Sequence, residues 1–274
     1  MPLNGIDVVA LSWCLPEIRE SLARARTALD AHVQAEAGST GELKSARLHL
    51  HQTHGALQVA DIAAVSVVTQ EAESILARAE REELVINAEA AKIIGQALGA
   101  VVEYLEDAQA GSLVSPVALF PEYRAMLQFH QAERIEPADL FFPDLTIQPP
   151  ARLFDGAGKA KNTDIGVLSN QARREFERGL LGFLRGGDLQ GAIETMHEAL
   201  GRLIGHEVPR QARAFLWLSY ALLDALRHKA LPADLYVKRL VARINLQARR
   251  TLDAGDPVAD RMLKDLLFHL ARAT

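Results

Sequence analysis

Cysteine is nearly absent from this chain of 274 residues, which contains only Cys14. An intrachain disulfide framework is therefore excluded, and the composition fits a reducing compartment, so we expect a cytoplasmic protein. No apolar run approaches the ~20 residues needed to span a bilayer, and the N-terminus lacks the pattern of a signal peptide. We therefore predict no membrane insertion.

Aromatic residues are also few, and neither sign of charge is in large excess. Aromatics make up 5% of the chain, which favours helices over sheets when Leu, Ala, Arg, Glu and Gln dominate. The net charge is −5, with both signs mixed along the sequence. That balance argues against a nucleic-acid partner bound by counterion release. The length of 274 residues is enough for one large or two ordinary domains, and an apolar content of 49% supplies material for their cores.

What the first half does contain is the three- and four-residue apolar spacing of amphipathic helices. Four helices are predicted, beginning near residues 15, 42, 61 and 88, with Pro16 in the first turn of the first helix. Amphipathic helices joined by short loops form antiparallel bundles. We therefore predict a four-helix bundle over residues 10–110.

Proline breaks up the next stretch, residues 111–163. One short helix is predicted there, from Glu122 to Gln131. Phe120 and its apolar neighbours are too hydrophobic for a free linker, so part of this connection should pack on a bundle. Residues 156–163 are predicted to be a mobile loop. Their Gly-Ala-Gly-Lys is not a phosphate loop, because Leu153 and Ala160 replace essential positions of that motif.

The second half, residues 164–274, is helical again. Gly186-Gly187 should end its first helix, Asp188 should cap the second, and prolines at 209, 232 and 257 should open others. Residues 215–223 are apolar on nearly every side, as in a central, buried helix. The predicted fold class is all-α, with two consecutive helical bundles.

Three histidines in six residues mark the second predicted helix. Projected at 100° per residue from the stripe of Leu43, Leu50 and Leu57, His54 lies about 60° from the buried centre and His51 about 120° away. Gly55 and Gln58 follow His51 on the same side. An exposed imidazole beside a glycine is what a nucleophile needs when a partner protein must reach it.

Glu73, on the flank of the following helix with Gln70, is the predicted acceptor that orients this imidazole. Other interpretations stay open. A surface histidine is most often only a solvated side chain, and His51 with His54 could bind a metal ion. No Cys or carboxylate at ligand spacing completes such a site, so no metal and no cofactor are predicted. His197-Glu198-Ala199-Leu200-Gly201 misses a zinc-protease motif at its last position, and Trp217 and Tyr220 are interpreted as core.

The segment His51-Gln52-Thr53-His54-Gly55-Ala56 resembles the His-x-x-Lys-Gly-Ser/Ala signature of histidine phosphotransfer domains, and Gln70–Leu76 resembles their next helix. Segments 16–22, 50–58, 137–145 and 234–240 resemble the N-terminal region of hybrid chemosensory kinases of the PilL and ChpA type, which control type IV pili and twitching motility. They also resemble the related stand-alone proteins of the FimL type. The resemblance implies His51 as phosphoacceptor and Glu73 as its support.

One departure matters, because the lysine of that signature is His54 here, which is shorter and mostly uncharged at neutral pH. Where a second acceptor would be sought in the second bundle, the chain reads Phe215–Leu218, so that bundle is predicted to be structural. We therefore favour a docking module in type IV pilus signalling over an active phosphotransfer domain. The implied partners are a receiver domain, a histidine kinase core in cis or in trans, and a pilus-regulatory protein.

Overall fold

Helices form the regular structure of this protein. A computed structural model describes residues 8–35, 40–60, 62–112, 115–150, 165–204 and 210–273, and no strand occurs among them. The predicted all-α class is confirmed. The chain divides into two compact units, Met1–Phe142 and Pro143–Thr274. No helix in the described ranges is long and apolar enough to cross a membrane.

Unit 1 is built on four long helices: α1 (Val8–Gln34), α2 (Thr40–Val59), α3 (Ala63–Glu80) and α4 (Ala88–Gln109). Helix α2 packs between α1 and α3, and α4 contacts α1 and α3. The stripe predicted for α2 is buried, because Leu43, Leu50 and Leu57 are at most 4% exposed. This stripe fixes which face of α2 is left to solvent.

Helix α1 begins earlier than predicted. It starts at Val8 and carries Pro16 in its interior, not in its first turn. Leu11, Leu15 and Ile18 are at most 3% exposed, so burial of this continuous apolar stripe outweighs the backbone hydrogen bond that proline removes. Pro16 itself lies on the exposed side.

The proline-rich connection folds onto unit 1 as far as residue 142, which confirms that part of it packs on a bundle. It contains α5 (Phe120–Phe129) and two 3-10 turns, Pro116–Leu119 and Pro137–Leu140. Beyond α5, His130 lies between two side chains of α3, with Nε2 2.7 Å from Glu71 Oε1 and Nδ1 3.1 Å from Arg78 Nη1. These bonds attach the end of α5 to the helix that carries Glu73.

Unit 2 repeats the same order of neighbours with α6 (Ile165–Arg185), α7 (Leu189–Ile204), α8 (Arg210–Arg227) and α9 (Leu235–Asp253), and adds α10 (Asp260–Ala271) against α8. Helices α6 and α7 approach closely at Gly179, where a Cβ atom would lie 2.9 Å from the carbonyl oxygen of Ala192. Phe215 and Leu216 of α8 are 0% exposed, which confirms a central helix.

The last two helices begin later than their prolines suggested. Asp234 caps α9 by accepting a 2.9 Å hydrogen bond from the amide of Val237, and α10 starts at Asp260, three residues after Pro257. A capping carboxylate therefore sets the start of α9, not Pro232. Asp188 caps α7 as predicted, accepting from the amide of Gly191 at 2.9 Å. The predicted loop at 156–163 and the start at Pro209 lie outside the described residues.

Candidate functional site

The imidazole of His51 projects into solvent from α2, with 70% of its side chain exposed. Its orientation follows from its neighbours in the helix, since Leu50 is 0% and Thr53 is 1% exposed and both face the core. A residue between two such positions points away from the bundle. The structure thus places His51 where the apolar spacing of α2 predicts it.

Glu73 of α3 is the partner of this imidazole. Its Oε1 lies 3.2 Å from Nδ1 of His51, and its side chain is only 19% exposed. A carboxylate accepts, so Nδ1–H donates to Glu73 and the ring lone pair lies on Nε2. A half-buried carboxylate that fixes the tautomer of an exposed histidine is the arrangement that a nucleophilic imidazole requires.

Gly55 lies one turn beyond His51 and is exposed. A Cβ atom built there would meet nothing within 4 Å, so the packing of the chain itself does not call for glycine. Yet glycine inside a helix costs about 1 kcal/mol relative to alanine. The fold of the described chain therefore does not require the open space beside His51.

Around this gap lies a continuous surface that we call the α2 face. It comprises the exposed residues on one side of the helix: Leu48, His51, Gln52, Gly55 and Gln58. Leu48 is 56% exposed, which makes it an apolar contact point one turn before His51. Sequence reasoning missed Leu48, although its spacing of three from His51 and seven from Gly55 was readable.

The remaining predicted residues occupy less central places. Gln70 is exposed on α3, one turn before Glu73. His54 is half-buried, and its Nδ1 is buried without a hydrogen-bond partner within the described chain. The Nδ1 atom is therefore turned away from solvent, whereas a lysine is longer and carries a terminal ammonium group. The i, i+3 pair of histidines gains no further ligand, because no group of three His, Cys, Asp or Glu side chains in the described ranges is placed to hold a metal ion.

An ion pair close to the site links α2 to α3. Arg47, one turn before His51, donates from Nε to Oε1 of Glu80 on α3 at 2.6 Å, and the Glu80 side chain is 13% exposed. Because this pair ties α2 to α3, it helps to hold the backbones that carry His51 and Glu73 in register. Sequence reasoning missed it, because the two residues are 33 positions apart.

Comparison with known proteins relates the chain to one family. Residues 161–274 match the family described as the second domain of the FimL scaffold protein. Over 264 residues the chain is 24% identical to scaffold protein FimL of Pseudomonas aeruginosa. The chain is similar to FimL-type scaffold proteins. This supports the predicted resemblance to the stand-alone FimL type, whereas the relationship to hybrid kinases and to phosphotransfer domains stays a prediction.

The extent of the match limits what it says. The alignment covers 96% of this chain but 46% of the Pseudomonas protein, so the chain spans about half the length of the curated relative that it matches. No solved structure matches the chain. The similarity therefore indicates that the two proteins are related, and it assigns no chemistry to the site.

Proposed function

We propose that this chain is a docking module of a cytoplasmic scaffold in type IV pilus signalling, and that unit 1 binds a receiver domain or a pilus-regulatory protein through the α2 face. The observation that carries the proposal is the open glycine: Gly55 leaves empty space beside an exposed, carboxylate-oriented imidazole. The similarity to a protein named as a scaffold supports the docking role. The assignment to the twitching-motility system is based on the sequence resemblance.

The energetics favour a partner as the reason for this glycine. Its cost of about 1 kcal/mol is borne by the free chain, where no neighbour approaches the position. A partner helix or loop lying against α2 would use the missing side chain for close approach. Leu48 at one end and Gln58 at the other provide one apolar and one polar contact for the same visitor.

Docking is favoured over group transfer because of the residue three positions after His51. A lysine there would offer a fixed positive charge to a phosphoryl group and to the incoming receiver. His54 is half-buried, with a buried Nδ1, so its geometry does not replace that charge. A module that keeps the surface of a phosphotransfer domain without its lysine would bind the same partners and transfer little.

The Gly55→Ala variant separates stability from docking. Alanine should raise the free energy of unfolding of unit 1 by about 0.5–1 kcal/mol, because helix propensity improves and nothing is displaced. The same methyl group should weaken binding of a receiver domain by about 1–3 kcal/mol, the usual cost of overpacking a fitted contact. Isothermal titration calorimetry and urea denaturation measure the two effects.

Gly99→Ala is the matched control. Gly99 also lies inside a long helix of unit 1, and its Cβ would make only an ordinary contact, 3.8 Å from Arg26. This variant should gain similar stability and bind the receiver unchanged. Equal receiver binding by the Gly55→Ala, Gly99→Ala and unaltered chains would remove the α2 face as the docking surface.

Phosphotransfer is the second candidate, favoured by the 3.2 Å contact between His51 and Glu73. In that reaction Nε2 of His51 forms a bond to the phosphorus atom that is transferred. The bond between this phosphorus atom and the rest of the donor breaks, and the rest of the donor leaves. Incubating the full chain with the kinase core and labelled ATP tests it. Label that disappears in His51→Gln and falls in Glu73→Gln supports phosphotransfer. Receiver binding without label supports docking, which is the result we expect.

A further inference from the structure

Helix α7 of unit 2 repeats the pattern of α2 around a histidine. In both helices alanine precedes the histidine by five positions, an apolar residue precedes it by one, glycine follows by four and leucine by six. The matched pairs are Ala46 with Ala192, Leu50 with Met196, His51 with His197, Gly55 with Gly201, and Leu57 with Leu203. The apolar members of both sets are buried, so the two helices face their cores in the same register.

A carboxylate on the next helix completes the parallel. Asp224 of α8 has Oδ1 3.3 Å from Nε2 of His197, as Glu73 of α3 has Oε1 3.2 Å from Nδ1 of His51. The pairs of helices also correspond, because α7 and α8 are the second and third helices of unit 2 and pack together as α2 and α3 do. Phe215–Leu218, where the sequence was examined for a second acceptor, lie on the third helix of unit 2.

The two sites differ in access. The side chain of His197 is 7% exposed, against 70% for His51. The ring of Tyr220 stacks on the His197 imidazole with centroids 4.1 Å apart, and a Cβ at Gly201 would lie 3.2 Å from Tyr220 Cε2. The tyrosine therefore covers the histidine and fills the space that stays empty beside Gly55.

Tyr220 precedes Asp224 by four residues, and the residue four before Glu73 is Thr69. Thr69 is small, and its hydroxyl donates to the carbonyl of Ser66 in its own helix. Counted back from the carboxylate, the third helix thus holds a large, partly exposed ring in unit 2 and a short, fully buried side chain in unit 1. A ring therefore covers His197, whereas the side chain of His51 stays 70% exposed.

Burial, more than the surrounding charges, favours the neutral form of the His197 ring. Arg227 has Nη1 3.5 Å from Nδ1. Asp224 lies 3.3 Å from Nε2, which is buried and forms no hydrogen bond within the described chain, so this contact is electrostatic, unlike the hydrogen bond between His51 and Glu73. Burial, and then the charge of Arg227, hold the pKa of His197 below its ordinary value. Two further groups face this pair of charges: Oε1 of Glu194 lies 3.5 Å from Nη1 of Arg227, and Nδ1 of His228 lies 3.5 Å from Oδ1 of Asp224.

We propose that α7 and α8 carry a second imidazole–carboxylate site, built like the first and closed by the ring of Tyr220. In this site the ring of Tyr220 occupies the space that stays empty beside Gly55 in unit 1. The proposal does not depend on whether His51 is phosphorylated or which protein the α2 face binds.

Carbethoxylation with diethyl pyrocarbonate tests the closure in the full chain, because the reagent modifies accessible neutral imidazoles and mass spectrometry reads each histidine separately. In the unaltered chain His197 should react at least about tenfold more slowly than His51. Tyr220→Thr, which removes the ring, should raise the His197 rate at least about tenfold. Tyr220→Phe keeps the ring and should leave His197 protected.

Two internal references make the result decisive. His228, with 61% of its side chain exposed, should react alike in every variant. His269 is 1% exposed and should stay protected as long as unit 2 is folded. If His269 reacts in Tyr220→Thr, that variant has unfolded, and Tyr220→Leu takes its place with the same expectation. His197 reacting as fast as His51 in the unaltered chain, or remaining protected in a folded Thr or Leu variant, overturns the proposal.

Discussion

Replacing Leu50 with alanine is expected to lower the free energy of unfolding of unit 1 by about 2–5 kcal/mol, the range for leucine-to-alanine changes in well-packed cores. Leu50 is 0% exposed and lies directly before His51, so its burial orients the imidazole as well as holding α2. Hydrogen exchange read separately over α1 to α4 measures the loss. The protection of α6 to α9 should not change, because Leu50 belongs to the core of unit 1.

Leu48→Ala is the matched control in the same helix. Its side chain is 56% exposed, so the change should alter the free energy of unfolding by no more than about 0.5 kcal/mol. Because Leu48 belongs to the α2 face, it should nevertheless weaken receiver binding. Similar destabilisation by both variants would mean that α2 is not oriented as described, and the exposed position of His51 would then lose its basis.

In unit 2 the largest electrostatic effect is expected at Arg243. Its Nη1 lies 2.6 Å from Oδ2 of Asp265, a carboxylate on α10 whose residue is only 1% exposed. Removing Arg243 takes one counter-ion away from the buried Asp265 carboxylate, and breaking a buried pair typically costs about 3–5 kcal/mol. The Arg243 side chain is 33% exposed, and water can reach the space that it leaves. We therefore expect Arg243→Met to lose about 2–4 kcal/mol.

Urea denaturation followed by the fluorescence of Trp217, the tryptophan of unit 2, measures this loss. Arg249→Met, at an exposed position of the same helix, should change stability by no more than about 0.5 kcal/mol. The double variant Arg243→Met with Asp265→Leu should recover much of the loss, because the buried charge is then gone. A double variant as unstable as the single one would show that the loss comes from packing.

Local patterns predicted the positions of side chains well where burial follows from a single helix. The stripe of Leu43, Leu50 and Leu57 was enough to place His51 on the open side of α2 and His54 on its flank. The contact with Glu73 was also foreseeable, since a helix packed beside α2 presents one flank to it. Periodicity reports which face of a helix is buried, and this part of the site depends on little else.

Contacts between distant segments could not be predicted in the same way. His130 meets Glu71 across 59 positions, and Tyr220 covers a histidine 23 positions earlier that the sequence offered only as a failed metal motif. Such contacts depend on the register between helices, which composition and spacing leave open. Pro16 misled for a related reason, because tertiary burial on both sides of it outweighs its local preference for a helix start.

The two units together suggest how one helical framework serves two ends. In unit 1 the second helix offers a glycine gap and a solvent-facing imidazole, whereas in unit 2 a tyrosine fills the equivalent gap. Under both proposals, such a scaffold directs partners to unit 1, because the space beside His51 is open. The corresponding space beside His197 in unit 2 is occupied by Tyr220.

The most direct test of the docking claim is a map of receiver contacts by two-dimensional amide NMR of the full chain. On titration with a receiver domain of the type IV pilus system, the largest shift changes should fall in residues 48–58 of α2 and 67–77 of α3. Residues of α5 and of unit 2 should be unaffected. Saturable binding whose shift changes lie on α5 or in unit 2, with α2 silent, would contradict the account.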